Sequence, residues 1–358
     1  MRDQLTFLTI SKFVGVMLLA GVLASCGLVE GDGRHLQPLS STVVAQLRNM
    51  GSSPGEAMLI RLFKDESSLE VWKRTKGGTY KYFKTYEVCN WSGELGPKFK
   101  EGDRQAPEGF YTITPGLMNP NSSYYLAFNT GFPNKFDRAH GRTGSDLMIH
   151  GDCSSRGCYA MTDDQIAEIY ALGREAFRGG QRNFQLQLYP FRMTAENLAK
   201  HRKSPHISFW RNLKEGYDAF EISKRLPSWD VCEGRYIFNA KGGPLNARGA
   251  CPAASTDPDL MALVAAKQKT DFGAFEIASS NLDKKEAQKA ADAKARAAEK
   301  AAVAERTAAV NNAVNERTEA VTNAVGGFFS GLFNFGGEDT SVAPVGPAPV
   351  PAPRIKRG

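Results

Sequence analysis

Residues 149–161 read IHGDCSSRGCYAM and place His150, Cys153 and Cys158 within nine positions. Three chemistries fit these residue types. As metal ligands, with His140 as a fourth, the H-x2-C-x4-C spacing can close around an ion, but structural zinc sites come as paired clips and no second clip follows. As a disulfide, Cys153 can pair with Cys158 across four residues, or with Cys89, which leaves Cys158 as the odd thiol. As a nucleophile, Cys158 needs a base to take the proton of a thiol whose ordinary pKa is ~8.5, and the His150 imidazole is at hand. Gly157 has no side chain to block a substrate carbonyl. The backbone N–H groups around Gly157 and Cys158, in the turn that opens at Ser155, are then oxyanion donors of ~3 kcal/mol each.

Neighbouring elements must hold these groups. Leu147-Met148-Ile149 reads as a strand that delivers His150. Thr162 and Gln165 form a capping-box signature, Ile166, Ile169, Tyr170, Gly173 and Phe177 follow helical spacing, and Gly179-Gly180 ends the run. Upstream the period is two: Met58, Ile60 and Leu62, then Leu69 and Val71, then Tyr80, Tyr82 and Tyr86, separated by turn clusters at 65–68 and 76–78. This is an antiparallel meander. FQLQLYPF at 184–191 reads as a further strand, and 194–220 holds two short helices. The fold class is α+β.

The chain has 358 residues, 42% of them hydrophobic, enough for one substantial core with appendages. Arg2 and Lys12 precede the apolar run Phe13 to Val22, which is short for a membrane span and reads as a signal peptide. Leu23-Ala24-Ser25-Cys26 then supplies the small residues before a cysteine that lipoprotein processing requires, so Cys26 is expected to be lipidated. Gly27, in place of Asp, favours the outer membrane and its periplasmic face. Export implies an oxidising compartment. Cys89, Cys153, Cys158, Cys232 and Cys251 would then be disulfide partners first, and five is odd. Cys232 and Cys251 enclose a loop whose closure would contribute roughly 3 kcal/mol; two buried thiols are the alternative. The formal charge is +7, and about +6 without the signal, which suits an anionic envelope and identifies no partner. No nucleic-acid, metal or cofactor partner is expected.

From Asp283 to Val325 composition narrows to helix formers, with an eleven-residue repeat in ERTAAVNNAVN and ERTEAVTNAV. Val310, Val314, Val321 and Val325 share one narrow face, and an exposed helix is expected. GGFFSGLFNFGG and a Pro/Ala/Val tail follow, read as disordered.

Ile149-His150-Gly151 with Ser155-x-Gly157-Cys158, preceded by Gly102-Asp103-Arg104-Gln105-Ala106-Pro107-Glu108-Gly109-Phe110-Tyr111, resembles the L,D-transpeptidase catalytic domain of the YkuD type. The resemblance covers about residues 57–192. It implies a mainly antiparallel, sandwich-like fold in which Cys158 attacks a peptidoglycan stem peptide with His150 as base. The acyl-enzyme would pass to an amine acceptor, a diamino-acid side chain or a wall-attached protein. Arg156 beside the nucleophile is then a carboxylate ligand or a solvent-facing arginine. Asn134 and Arg138 fall in a polar and aromatic segment, 119–138, that could close over substrate. Three departures stand out. The His-to-Cys interval is short, Arg156 replaces the usual second histidine, and Ala160 stands where many members carry Arg or Asn. These resemble the YafK-type branch, which includes an enzyme that detaches a lipoprotein from peptidoglycan by hydrolysis. Transpeptidase, amidase-like hydrolase and noncatalytic wall tether therefore remain open. The implied organisation is a signal peptide (1–25), tether (26–56), catalytic domain (57–192), helical or mixed extension (193–282), Ala-rich helix (283–325) and tail (326–358).

Overall fold

A computed structural model describes residues 33–332; the expected signal peptide, Cys26 and the chain after 332 lie outside the described residues. The stretch read as a tether is partly folded. Ser40 caps helix α1 (Ser41–Asn49), and Val43 and Leu47, four residues apart on one face, are buried in the main core. Gly/Ser content concealed that short amphipathic stripe.

The period-two segments form β1 (Met58–Phe63), β2 (Ser68–Arg74) and β3 (Tyr80–Glu87). Next come β4 (Asn90–Trp91), β5 (Gly109–Ile113), β6 (Met118–Asn119) and β7 (Ala127–Asn129). Helix α2 (Lys135–Ala139) precedes β8 (Met148–His150) and β9 (Tyr159–Ala160). Then follow α3 (Asp163–Arg178), with the capping box formed by Thr162 and Gln165, and β10 (Phe184–Tyr189). The strands build two sheets, ordered β3-β2-β1-β10-β5 and β4-β9-β8-β7-β6. All pairings are antiparallel except β1 with β10 and β8 with β9.

One core lies between the sheets and α3. It holds Ile60, Leu62, Tyr111, Leu186 and Leu188 from the first sheet, Phe128, Ile149 and Tyr159 from the second, and Ile166, Ile169 and Leu172 from the helix. The alternate residues of the first sheet, Phe63, Phe110 and Tyr189, enter a second core on its other face. That core is closed by α4 (Ala195–Lys200), α5 (Ile207–Ser223) and the hairpin β11 (Trp229–Cys232) with β12 (Arg235–Phe238). With both faces covered, β1 is buried at every position.

Helix α6 runs from Pro258 to Leu332, beginning ahead of the Ala-rich composition and continuing into the stretch read as tail. Its first turns carry Phe272 and Phe275, over which the Arg211 guanidinium lies at 5.4 and 4.7 Å, so this part is compositionally unlike the rest. From Lys284 the helix belongs to a second unit, and there Val303, Val310, Val314, Val321 and Val325 are exposed.

A buried ion pair ties the layers to the chain before β5. Lys64 Nζ lies 3.0 Å from Glu108 Oε1 with both side chains fully buried, and it also donates to the carbonyls of Gly96 (2.9 Å) and Ala106 (2.6 Å). Glu108 Oε2 accepts from Trp210 Nε1 at 2.8 Å. Lys64→Met should therefore cost about 3–5 kcal/mol, because it strands a buried carboxylate. Lys64→Met with Glu108→Leu should recover most of that in chemical denaturation, and equal losses in the single and double variants would contradict it.

Candidate active site

Cys158 enters the site immediately before β9. Its Sγ accepts from the Met148 N–H at 3.4 Å, and its S–H points to the Asp146 carbonyl at 3.6 Å. It is the free cysteine among the described residues, because Cys89 is bonded to Cys153 and Cys232 to Cys251. Cys153 is thereby removed from both the metal and the Cys153–Cys158 readings. Among the described residues no group of three or more His, Cys, Asp or Glu is arranged to hold a metal.

His150 ends β8 and is 3% exposed. Its Nδ1 is 2.5 Å from the Gly151 carbonyl, which can only accept, so Nδ1 carries the proton and Nε2 is left as a base. The Tyr124 ring, 4.7 Å away between centroids, covers the imidazole. Parallel pairing of Ile149 with Tyr159 and His150 with Ala160 puts His150 and Cys158 on neighbouring strands. At ~4.8 Å across and ~3.3 Å per residue along, their Cα atoms are ~8 Å apart on one face. No hydrogen bond joins thiol to imidazole in this conformation.

Parallel strands ordinarily need a crossover of a dozen or more residues. Here residues 151–158 suffice, because β8 and β9 span three and two residues and the return path is short. The loop is pinned along its length. Gly151 N donates to the Tyr124 carbonyl (3.1 Å), Asp152 N to Asp163 Oδ1 (3.0 Å), and Met161 N to the His150 carbonyl (2.9 Å). A methyl on Gly151 would collide with the Asp163 carboxylate and come within 3.0 Å of the Tyr124 carbonyl, so a larger residue here displaces the carboxylate that holds Asp152 N. The Cys153–Cys89 disulfide anchors the middle, and the Ser155 hydroxyl closes the last turn on the Cys158 carbonyl at 2.6 Å. Gly157 takes φ +119°, a conformation side chains disfavour. Neither its N–H nor that of Cys158 donates to another group among the described residues, which leaves both for an oxyanion.

The other sequence-derived residues separate. Arg156 is exposed two positions from the thiol, with no side-chain partner among the described residues. Asn134 is buried and its amide is fully occupied: Oδ1 accepts from Asp137 N (2.9 Å), while Nδ2 donates to the Phe110 carbonyl and the Tyr236 hydroxyl, both at 2.7 Å. It is the cap of α2 rather than a free substrate ligand. Arg138 is exposed, donates to the Pro133 carbonyl and lines a cleft along β11. His140, offered above as a fourth metal ligand, lies tilted against Phe136 at 4.3 Å between ring centroids, and its Nε2 bonds the Gly234 carbonyl at 2.7 Å.

Lys98 is a site residue that spacing does not reveal. It is buried against Gly144, bonded to Asp103 and to the Lys100 carbonyl (2.9 Å). Burial would raise Asp103, but the N–H groups of Lys100, Gln105 and Phe99 and the Lys98 ammonium bring it to about 2. Burial pushes the Cys158 thiol up from 9.0 and Asp146 adds to this, against the Met148 N–H and Lys98, which favour the thiolate. Burial pulls His150 below 6.5, opposed by the Gly151 carbonyl and Asp152. Both directions favour the neutral thiol and the neutral imidazole.

The family described as the L,D-transpeptidase catalytic domain, YkuD, matches residues 61–176. The putative L,D-transpeptidase YafK of Escherichia coli strain K12 is 42% identical over 223 residues, which are 62% of this chain and 87% of that protein. Among solved structures, the helical cell shape determining protein Pgp2 from Campylobacter jejuni is 22% identical, over 43% of this chain and 55% of that one, with a TM-score of 0.30. Bd1075 of Bdellovibrio bacteriovorus is 21% identical, over 46% and 60%, with a TM-score of 0.27.

In the unreduced protein, alkylation should modify Cys158 alone among the described cysteines, at a rate rising through a midpoint above 9.0. Mapping the label onto Cys153 would contradict the assignment. Turnover requires neutral imidazole, so kcat/KM should fall only below 6.5 on the acid side, since the folded pKa lies under that value. An acid limb centred above 6.5 would indicate an imidazolium–thiolate resting state instead.

Proposed function

The chain belongs to the L,D-transpeptidase family with the YkuD catalytic domain, and from that premise we propose that it acts on peptidoglycan stem peptides by cysteine acyl transfer. The observation that supports this is the pairing of β8 with β9, which sets a buried imidazole and a free thiol on one face. In the proposed cycle the Cys158 side chain turns away from the Asp146 carbonyl and gives its proton to His150 Nε2. The sulfur then attacks the carbonyl carbon of a stem-peptide amide.

The oxyanion is held by the free N–H groups of Gly157 and Cys158. Collapse breaks the C–N bond, and the proton returns from His150 to the leaving amine. An amine acceptor, a diamino-acid side chain or a wall-attached protein, attacks the thioester as His150 takes its proton, and Sγ leaves to be reprotonated. Exposed Arg156 is positioned to meet a stem-peptide carboxylate. We further propose that Cys26 is lipidated and holds the enzyme at the periplasmic face of the outer membrane. The two disulfides suit that oxidising side.

Incubating purified muropeptides with an amine acceptor tests the reading. New amide-linked products should form with the wild type and fall by on the order of 10⁴-fold or more in Cys158→Ala. His150→Ala should lose about 10²–10⁴-fold. Shortened or detached stem peptides without new linkages would replace transfer by hydrolysis on the same thioester. Unchanged products with both variants would remove the acyl-transfer reading.

A further inference from the structure

The cleft that holds Arg138 lies apart from the thiol and has no part in the cycle above. It measures about 780 Å³ and is walled on one side by the sandwich, through Thr112, Gly131 and Asn183, and on the other by Trp229 of the added hairpin and by Gly242 in the segment that follows it. The two walls are locked together. Lys135 Nζ bonds both the Asp230 carboxylate and the Leu245 carbonyl, and Asp230 also accepts from Leu245 N at 2.8 Å. Its charged lining is thus largely neutralised internally, with the exposed Arg138 guanidinium as the remaining cation.

What the lining still offers is characteristic of one ligand chemistry. Trp229 is half-buried, braced edge-on by Tyr236 at 5.7 Å, and its indole N–H makes no hydrogen bond to described residues. The amide of Asn183 and the hydroxyl of Thr112 are exposed and equally unengaged among the described residues. A supported aromatic face beside uncharged donors and acceptors suits a chain of sugars, whose rings present apolar C–H faces and hydroxyl or acetamido edges. It suits an anion or a nucleotide poorly, because a single guanidinium is the only uncompensated charge of the described lining.

The position of the cleft points the same way. Gly131 follows Thr130, whose N–H bonds the Leu147 carbonyl at 2.8 Å, and Leu147 adjoins Met148, whose N–H reaches the thiol. Asn129 is opposite Met148, and Gly131 lies two residues further along. The edge of the cleft is therefore two strand spacings across and two residues along from Cys158, ~12 Å. Four extended residues span at most about 13–14 Å. A stem peptide rooted on a sugar at the cleft edge would thus present an amide about four residues along to the thiol.

We propose that this cleft binds the glycan strand of peptidoglycan, an N-acetylated hexosamine chain, and so anchors the sugar from which the donor stem peptide projects. The identification of the sugar's role rests on the acyl-transfer reading; binding itself does not. The test is calorimetric titration of the full chain with chitotetraose and with glycan strands stripped of stem peptides by an amidase. Saturable binding is expected at millimolar or lower concentration, at least tenfold weaker in Trp229→Ala and several-fold weaker in Asn183→Ala, which is exposed and leaves the packing untouched.

Cys158→Ala should bind as tightly as wild type, so glycan binding with no Cys158-dependent product would preserve the cleft and remove the transferase reading. Absence of saturable binding to either probe would overturn the proposal. So would binding that both variants leave unchanged, or a free stem tetrapeptide competing for the same residues.

Discussion

Everything at the site depends on the parallel pairing of β8 with β9. Two strands of three and two residues carry the base and abut the nucleophile, and only eight residues return the chain between them. A loop that short over a reversal of that kind has few conformations. It uses them all: a glycine at 151 against the Asp163 carboxylate, positive φ at Asp152 and Gly157, a disulfide at Cys153 and a hydroxyl-capped turn at Ser155. Closing the 64-residue separation between Cys89 and Cys153 restricts the unfolded chain by about 4 kcal/mol on the entropy account. The same bond fixes the crossover to β4, whose Asn90 and Trp91 pair with Ala160 and Tyr159. Register, loop and disulfide are therefore one device, and its product is the relative placement of His150 and Cys158.

Behind that device sits a layer of buried charge. Asp137 accepts from Arg142 (2.9 Å), from the Tyr111 hydroxyl (3.0 Å) and from Asn134 N (3.1 Å), while Lys98 holds Asp103. Burial pushes Asp137 up, and the Arg142 guanidinium is the main opposing influence. Removing one partner from such a pair leaves an uncompensated charge in low dielectric, so these contacts specify geometry more than they add net stability. Lys98 shows the functional side of this arrangement. Held by Asp103, its ammonium favours thiolate over thiol without touching the sulfur.

The legible parts of the molecule are those governed by local rules. Thr162 and Gln165 announce α3, period two announces β1 to β3, and the odd count of five cysteines after Cys26 directs attention to one free thiol. His150 and Cys158 stand out because imidazole and thiol at close spacing have few other uses. The features that the sequence does not mark depend on long-range partners. Nothing near Lys64 in the chain identifies it as the partner of Glu108, 44 positions away and fully buried with it. Asn134 resembles a ligand because amides serve equally as helix caps, and only Phe110 and Tyr236 decide between the two. The start of α6 is hidden for a related reason. The turns from Pro258 pack on α5 and carry phenylalanines, so composition alone marks only the part that meets solvent.

The extension after residue 192 is best understood from β1. A strand of an antiparallel sandwich normally turns one face to water, yet every residue of β1 is buried, Arg61 included. The Arg61 guanidinium lies over the rings of Tyr217 at 4.3 Å and Phe220 at 5.1 Å, and its Nη1 bonds Glu221 at 2.5 Å, all three supplied by α5. Phe63, Phe110 and Tyr189 point to the same side and meet Trp210, Leu213 and Tyr236. Without α5 and the hairpin, that face would present aromatic rings and an unpaired cation side by side. The first sheet therefore has no stable boundary at residue 192. Since β5 of that sheet continues through Thr112 to the cleft and Asn134 braces Tyr236 against Phe110, the added elements complete the sandwich rather than decorate it.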